Sequence, residues 1–387
     1  MRKFLFLLSI TLLCMTMLLS CSKVTLPPQH ESGEQTGDLT SIPPEDEGSS
    51  SESEYVNEEE PEEEPKEEPE EEPEEEPEEE PEEEPEEEPK EEPEEPDVDV
   101  APVRNGSKVT FGHYPQSKVI DSEIISQLEE KVGNPNTQAE KWDSYNYYEN
   151  VSMWYSDVKL DGQKYRGVYF SMYRPTTITD APTLSNSLQD NNGYDINVLY
   201  WFKYEPITWT VIDEQNGKLF LLCDMILDAQ NYSINSDNDY ADSTIRSWLN
   251  DEFINSAFTE GEQNYILTTK VNNGQSASDY KNGNPFLCED TDDKIFLLSK
   301  AEVKDANYGL GTASNRTKKV TEYAKSQGAF SDTANGDWWW LRTPSYDSAN
   351  ANKNDLAHNV KVDGTLWSTN VGLTTGGIVS AMWITFD

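Results

Sequence analysis

The stretch that most directly indicates the fold is ITWTVIDEQNGKLFLLC, residues 207–223. Its first part alternates apolar and polar side chains, which is typical of a half-buried strand, and its last five residues are all apolar, which is typical of a strand in the core. Between the two parts, Asn216 and Gly217 are the residue types that most readily adopt positive φ in a two-residue turn. The stretch therefore predicts an antiparallel β-hairpin inside a sheet.

The sequence after this hairpin mixes strand-like and helix-like segments without the regular alternation of a parallel α/β fold. Ser243 offers a helix cap, and an apolar stripe behind it predicts a helix from about 243 to 258. Asp363 and Gly364 predict a second hairpin turn. The other predicted elements are a buried strand at 295–299, a helix at 318–327, hairpin strands at 359–362 and 365–368, and a last strand at 378–386. We therefore expect an α+β fold, a single mostly antiparallel-sheet domain with a few helices.

The N-terminus has the pattern of a bacterial lipoprotein signal peptide. A basic start at Arg2 and Lys3 precedes an apolar run that ends in Ser20 and Cys21. This run, of about 16 residues, is shorter than the roughly 20 that a membrane-spanning helix needs. We expect residues 1–20 to be removed and Cys21 to be acylated, for example with palmitate, so that the exported protein is held at a bacterial membrane and displayed at the cell surface.

A strongly acidic segment follows the cysteine. The chain has a formal net charge of -46, and residues 58–96 repeat Glu-Glu-Glu-Pro almost without interruption. Proline removes the amide donors that a helix needs, and repulsion between glutamates opposes compaction. We therefore predict a disordered tether over residues 21–100 and a globular domain over 101–387. Nucleic acid is not an expected partner, because no basic face emerges to neutralise phosphates.

The usual catalytic and metal-binding residues are sparse. The chain has three histidines, and neither His113 nor His358 has another histidine within metal-ligand spacing, so we predict no metal site and no cofactor. Cys223 and Cys288 are the thiols that remain in the domain, and the sequence leaves open whether they pair. This composition favours a binding domain over an enzyme.

Five short phrases, most of them rich in aromatic residues, lie in order along residues 108–386. They are FGHYPQ (111–116), YRGVYF (165–170), YWFKYEPI (200–207), STIRSWLN (243–250) and WWLR (339–342). As a set they resemble an uncharacterised family of domains of unknown function from bacterial surface and secreted proteins. The resemblance implies no established activity. It does imply similarity to the C-type-lectin-like fold that formylglycine-generating enzymes share.

The loops near the C-terminus combine amides with aromatic rings. That mixture is found where loops recognise glycans or proteins, although asparagine-rich loops also form good turns. The candidate ligand-binding residues are Arg342, Tyr346, Asn350, Asn352, Asn354, His358, Trp367 and Asn370.

The sequence thus predicts a lipid-anchored envelope protein that displays a ligand-binding domain on an acidic spacer. The expected ligand is a glycan, a host protein or an envelope protein. One alternative is an envelope enzyme that cleaves peptidoglycan or polysaccharide with carboxylates such as Asp224 and Asp228. Another is a structural lipoprotein that packs against other envelope proteins.

Overall fold

The computed structural model describes residues 99–145, 152–185, 188–280, 283–331, 337–350 and 352–386. The predicted signal peptide, Cys21 and the Glu-Pro repeat lie outside the described residues. Among the helices that are described, none has the length and apolar character needed to cross a membrane.

The described region consists mainly of strands joined by short helices. The strands are β1 (Val103–Asn105), β2 (Lys108–Lys118), β3 (Asp143–Ser144), β4 (Met153–Leu160), β5 (Gln163–Phe170), β6 (Tyr200–Gln215), β7 (Lys218–Cys223), β8 (Met225–Ile226), β9 (Ala229–Gln230), β10 (Thr269–Val271), β11 (Thr291–Asp293), β12 (Phe296–Leu297), β13 (Lys319–Val320), β14 (Trp339–Pro344), β15 (Leu356–Val360), β16 (Leu366–Asn370), β17 (Gly376–Gly377) and β18 (Ser380–Thr385). The α-helices are α1 (Ser122–Val132), α2 (Leu188–Asn191), α3 (Thr244–Trp248), α4 (Ile254–Ala257), α5 (Gln275–Ser278), α6 (Ala313–Arg316) and α7 (Glu322–Ser326).

The predicted central hairpin is formed by β6 and β7. These strands pair antiparallel from Gln215 and Lys218 outward, and the turn residues Asn216 and Gly217 have φ of 53° and 73°. The hairpin lies within a nine-stranded sheet whose main order is β12-β18-β7-β6-β5-β4-β3, with β2 pairing with both β6 and β1. All of the strand pairs in this sheet are antiparallel. The prediction from residues 207–223 is therefore confirmed.

A second sheet carries the candidate ligand-binding residues. Its five strands have the order β16-β15-β14-β17-β9, so β14 is in the middle and β16 is at an edge. The second predicted hairpin is β15 and β16, with Gly364 at φ 77° in its turn. Parallel pairing occurs between β14 and β17, and between β13 and β8. The predicted α+β class with mostly antiparallel strands is thus confirmed.

The two predicted helices differ in how closely their predicted bounds agree with the structure. The first runs from α3 through a π-helical segment, Leu249–Phe253, into α4, and the Ser243 hydroxyl caps it by accepting from the Arg246 amide at 3.3 Å. The second, predicted from 318, begins only at Glu322. Its first residues form β13 instead, because they pair with β8, and Thr321 then caps α7.

Apolar side chains form two buried clusters. The larger one includes the inner faces of the hairpin strands, the α3 to α4 segment and β14. The smaller one lies under α1, where Leu128 and Val132 pack with Trp142 and Trp201. The large cluster fixes β14 and β15, and through them it positions the edge strand β16.

Candidate functional site

The structure separates the predicted binding residues into a buried and an exposed group. Arg342 on β14 and His358 on β15 are 2% and 7% exposed. In contrast, Trp367 on β16 is 63% exposed. Asn352, Asn354 and Asn370 are also exposed, and Tyr346 is half-buried. The side chain of Asn350 lies outside what the structure describes.

Arg342 is a structural residue. Its guanidinium forms a bidentate ion pair with Glu302, with nitrogen to oxygen distances of 2.5 and 3.0 Å. The remaining N–H groups donate to the carbonyl oxygens of Leu297 and Asn272, and to Oδ1 of Asn273. All five donors of the guanidinium are therefore in use. The structure therefore places Arg342 inside the protein, where its strand directs it toward Glu302.

This ion pair also determines the charge state of Glu302. Burial alone would raise the pKa of the carboxyl group. The charge and hydrogen bonds of Arg342 outweigh burial, so that the pKa of Glu302 lies below its usual value. The pair stays ionised near neutral pH and joins β14 to the short helical turn at 302–304.

His358 holds the edge hairpin in place. Its Nδ1 lies 2.9 Å from the carbonyl oxygen of Trp367, and its Nε2 lies 2.8 Å from the hydroxyl of Tyr280. Because a carbonyl can only accept, Nδ1 carries the proton and Nε2 accepts from Tyr280. Burial, aided by the charge of Lys300, lowers the pKa of His358 to about 4. The imidazole is therefore neutral near pH 7, and its hydrogen bond to the Trp367 carbonyl fixes β16 beside β15.

Tyr280 links this support to Tyr346. Its oxygen also accepts from the backbone amide of Tyr346 at 2.9 Å, and the two rings pack edge to face with centroids 6.3 Å apart. Phe286 contacts the Tyr346 ring from another direction, with centroids 5.8 Å apart. Sequence reasoning missed Tyr280, since it is 78 residues from His358. No local pattern indicates such a contact.

We use the name Trp367 surface for the predicted residues that are at least partly exposed, Tyr346, Asn352, Asn354, Trp367 and Asn370, together with Lys361. Lys361 extends the predicted set, because its ammonium lies 5.5 Å from the centroid of the Trp367 ring. Asn370 donates to Asp355 at 3.1 Å, which ties the end of β16 to the start of β15. Trp367, which offers a flat apolar ring, and Asn370 lie on the edge strand β16, and the other members lie in the segments that join β14, β15 and β16.

The carboxylates named for an enzymatic alternative have different environments. Asp224 is partly exposed and accepts from Lys108 at 2.6 Å and from Thr210. Asp228 is buried and accepts from the Tyr114 hydroxyl at 2.6 Å, and burial raises its pKa. The geometry therefore does not present these two groups as an acid and base pair facing one cleft.

The described region contains neither a cluster of metal ligands nor a disulfide between its two cysteines. Within the described ranges, no three histidine, cysteine or acidic side chains lie close enough to hold a metal ion. Cys223 and Cys288 are free thiols, and burial raises the pKa of Cys223 to about 12. At neutral pH the Cys223 thiol is protonated and unreactive.

Comparison with known proteins connects this region to one family. No curated protein and no solved structure matches the chain, so the C-type-lectin-like fold stays a prediction. A family model described as a domain of unknown function (DUF6273) matches residues 216–386. The matched range includes the STIRSWLN and WWLR phrases, the whole five-stranded sheet and the Trp367 surface. The expectation of an uncharacterised domain of unknown function is thus confirmed by this family match over residues 216–386.

Proposed function

We propose that this chain is a lipid-anchored bacterial envelope protein that displays a ligand-binding domain at the end of an acidic spacer. The sequence supports the anchor through Cys21 and the spacer through residues 58–96. A spacer of this kind would allow the domain to bind partners at a distance from the membrane, because a Glu-Pro chain favours extended conformations. The ligand would be a glycan, a host protein or another envelope component.

The observation that carries the binding role is the position of Trp367. All ten tryptophans of the chain lie among the described residues, and Trp367 alone is an exposed one. Its ring is large, flat and rigid, so it can stack on a sugar or an aromatic side chain at little entropic cost. The exposed amides of Asn352 and Asn354, in the segment before β15, offer both donors and acceptors.

The anchor can be tested by metabolic labelling with radioactive palmitate in a bacterial host. The wild-type protein should take up label and stay in the membrane fraction. Cys21→Ala should lose both properties, because the only acylated thiol is gone. Cys14→Ala is a matched control within the apolar run and should keep both. Label that persists in Cys21→Ala would contradict the proposed anchor.

The binding role can be tested on an array of glycans and envelope polymers with full-length protein extracted in detergent. A variant with alanine at Tyr346, Asn352, Asn354 and Trp367 should lose binding. A control variant has alanine at Tyr265, Asn264 and Asn307, which are exposed residues of matching type outside the segments under test. That variant should bind like the wild type.

Two outcomes would contradict the proposal. A folded wild-type protein that binds no component of the array would remove the support for recognition and favour a structural lipoprotein. Shortened polymer chains, found after incubation on the same array, would favour the enzymatic alternative instead.

A further inference from the structure

The turn that joins β15 and β16 packs against the short helix α6. Gly364 lies in this turn with φ of 77°, and a Cβ atom there would overlap the carbonyl oxygen of Ala313. Within the turn, the Lys361 amide donates to the Thr365 carbonyl and the Gly364 amide donates to the Lys361 carbonyl, both at 2.8 Å. Trp367 follows directly after this turn on β16. The position of its ring therefore depends on how the turn is held.

Arg316, the last residue of α6, holds the turn from inside the protein. The residue is 9% exposed, and its Nη1 donates to the carbonyl oxygen of Gly364 at 2.9 Å. Its Nε donates to the carbonyl oxygens of Val303 and Leu310, both at 2.9 Å, and its Nη2 donates to that of Gly311 at 3.3 Å. One guanidinium therefore joins the hairpin turn to two segments that precede α6.

The main chain of Arg316 connects the same point to the central strand. Its carbonyl oxygen accepts from the indole nitrogen of Trp339 at 3.0 Å. Trp339 is fully buried on β14, where it pairs with Val360 of β15. Arg316 therefore ties the turn of the edge hairpin to the buried part of the sheet.

The absence of a carboxylate partner distinguishes Arg316 from four other arginines. Ion pairs with carboxylates are formed by Arg104, Arg166, Arg246 and Arg342. In the part of the chain that the structure describes, Arg316 has no ion pair, and its acceptors are uncharged carbonyl oxygens. Burying a charge in this way is unfavourable, and hydrogen bonds offset it only in part. What the planar guanidinium adds is a fixed arrangement of the carbonyl groups that it joins.

We infer that Arg316 is a positioning residue for ligand binding, because it holds the 361–365 turn and so fixes Lys361 and Trp367 relative to each other. The ammonium of Lys361, before the turn, lies 5.5 Å from the centroid of the Trp367 ring, after the turn. His358 holds the middle of β16, and Arg316 supports the end of that strand nearest the turn. Arg316 is buried, so it acts through the turn without touching the ligand. The inference rests on the proposed function of the Trp367 surface.

The first test measures the turn and the ring directly, in full-length protein extracted in detergent. In Arg316→Met the amides of Lys361 and Gly364 should exchange with deuterium roughly tenfold faster, as for the loss of one hydrogen bond to a charged group. Labelling with fluorotryptophan gives a fluorine resonance for Trp367, assigned as the one that is absent from Trp367→Phe. That resonance should shift in Arg316→Met.

Arg174→Met is the matched control. Arg174 is also buried, and its Nη1 donates to the carbonyl oxygens of Ala229 and Gln327. Ala229 belongs to β9, at the opposite edge of the same five-stranded sheet. The control should leave the exchange of the turn and the Trp367 resonance as in the wild type. A general loss of stability would affect the two variants alike.

The second test compares the same preparations on the array of glycans and envelope polymers. Arg316→Met should lose most of the binding, and Arg174→Met should keep it. Arg316→Lys should lie between the wild type and Arg316→Met, because lysine keeps the charge but not the planar fork of donors. Binding by Arg316→Met that equals the wild type would overturn the inference.

The exchange and fluorine measurements separate this inference from the proposed function. A turn that exchanges as in the wild type, with an unshifted Trp367 resonance, would overturn the inference even if the wild type binds the array. If Arg316→Met does not fold, the same two measurements on Arg316→Lys decide it. A wild-type protein that binds nothing on the array would contradict the proposed function, and the inferred role in binding would fall with it.

Discussion

Trp340 and Trp367 lie two strands apart in the same five-stranded sheet and have opposite roles. Trp340, on the central strand β14, is fully buried, and its indole nitrogen donates to the carbonyl oxygen of Gln230 at 2.9 Å. Trp367, on the edge strand β16, is 63% exposed. Because packing covers the central strand and leaves the edge strand open, strand order decides which ring stabilises the fold and which can meet a ligand.

The charged residues of the two strands show the same contrast. Arg342 on β14 has every donor satisfied inside the protein, while Lys361, just after β15, is exposed and lies over the face of Trp367. We therefore expect substitutions on β14 to change stability and substitutions on β16 to change binding.

The largest effect is expected for Arg342→Met. This change leaves the Glu302 carboxylate, which is 25% exposed, without its partner, and breaking a buried ion pair typically costs about 3–5 kcal/mol of unfolding free energy. Chemical denaturation, followed by tryptophan fluorescence, measures the loss. The double variant Arg342→Met/Glu302→Gln should recover part of it, because the unpaired charge is removed. A loss below about 1 kcal/mol for Arg342→Met would mean that β14 does not depend on this ion pair.

A pH-dependent effect is expected at His358, between the two strands. Its pKa is about 4 in the folded protein and about 6.5 when unfolded, so the unfolded state binds the proton first as pH falls. His358 thus costs no stability above about pH 6.5. Between pH 6.5 and 4 the fold should lose on the order of 3 kcal/mol through this group.

The comparison with His358→Gln isolates this effect from the titration of carboxylates. Glutamine keeps hydrogen-bonding capacity but does not titrate, so the stability difference between the two proteins should shrink or reverse as pH falls from 7 to 4. Denaturation midpoints at a series of pH values provide the measurement. Parallel pH profiles for the two proteins would mean that His358 is not buried in its neutral form.

An intermediate effect is expected for Gly376→Ala on β17. A Cβ atom at this position would overlap the indole ring of Trp340. Displacing that ring would break its bond to Gln230, and forcing extra volume into a packed core typically costs about 1–3 kcal/mol. Gly274→Ala, where the added atom would meet only the side chain of Asn272, should cost less. Equal melting temperatures for the two variants would show that β17 can move away from Trp340.

The elements that sequence predicted correctly are those with local signals. Asn216 and Gly217, or Asp363 and Gly364, determine their hairpins within a few residues, and Ser243 caps its helix three residues before its bonding partner. The helix expected at 318 was wrong at its start, since pairing of β13 with the distant β8 overrides the local pattern. Helix propensity describes the local sequence alone and takes no account of pairing with a distant strand.

The environment of the candidate site residues is determined by contacts between residues far apart in sequence, and could therefore be predicted less well than the fold elements. Arg342 and Glu302 are 40 residues apart, and a sequence that places an arginine beside asparagine-rich loops cannot show that it points inward. Exposure at Trp367 follows from its place at the edge of the sheet, which is a property of strand order and not of local sequence.

The smallest change in stability is expected for Trp367→Ala. Because the ring is 63% exposed, removing it should alter the free energy of unfolding by less than about 0.5 kcal/mol. Binding on the glycan and envelope-polymer array should nevertheless fall, since the ring is the largest apolar contact that the edge strand offers. Trp367→Phe should retain part of that binding through its smaller ring. Unfolding free energies and array signals of the same preparations test both expectations, and a loss near 3 kcal/mol would place Trp367 with Trp340 as part of the core.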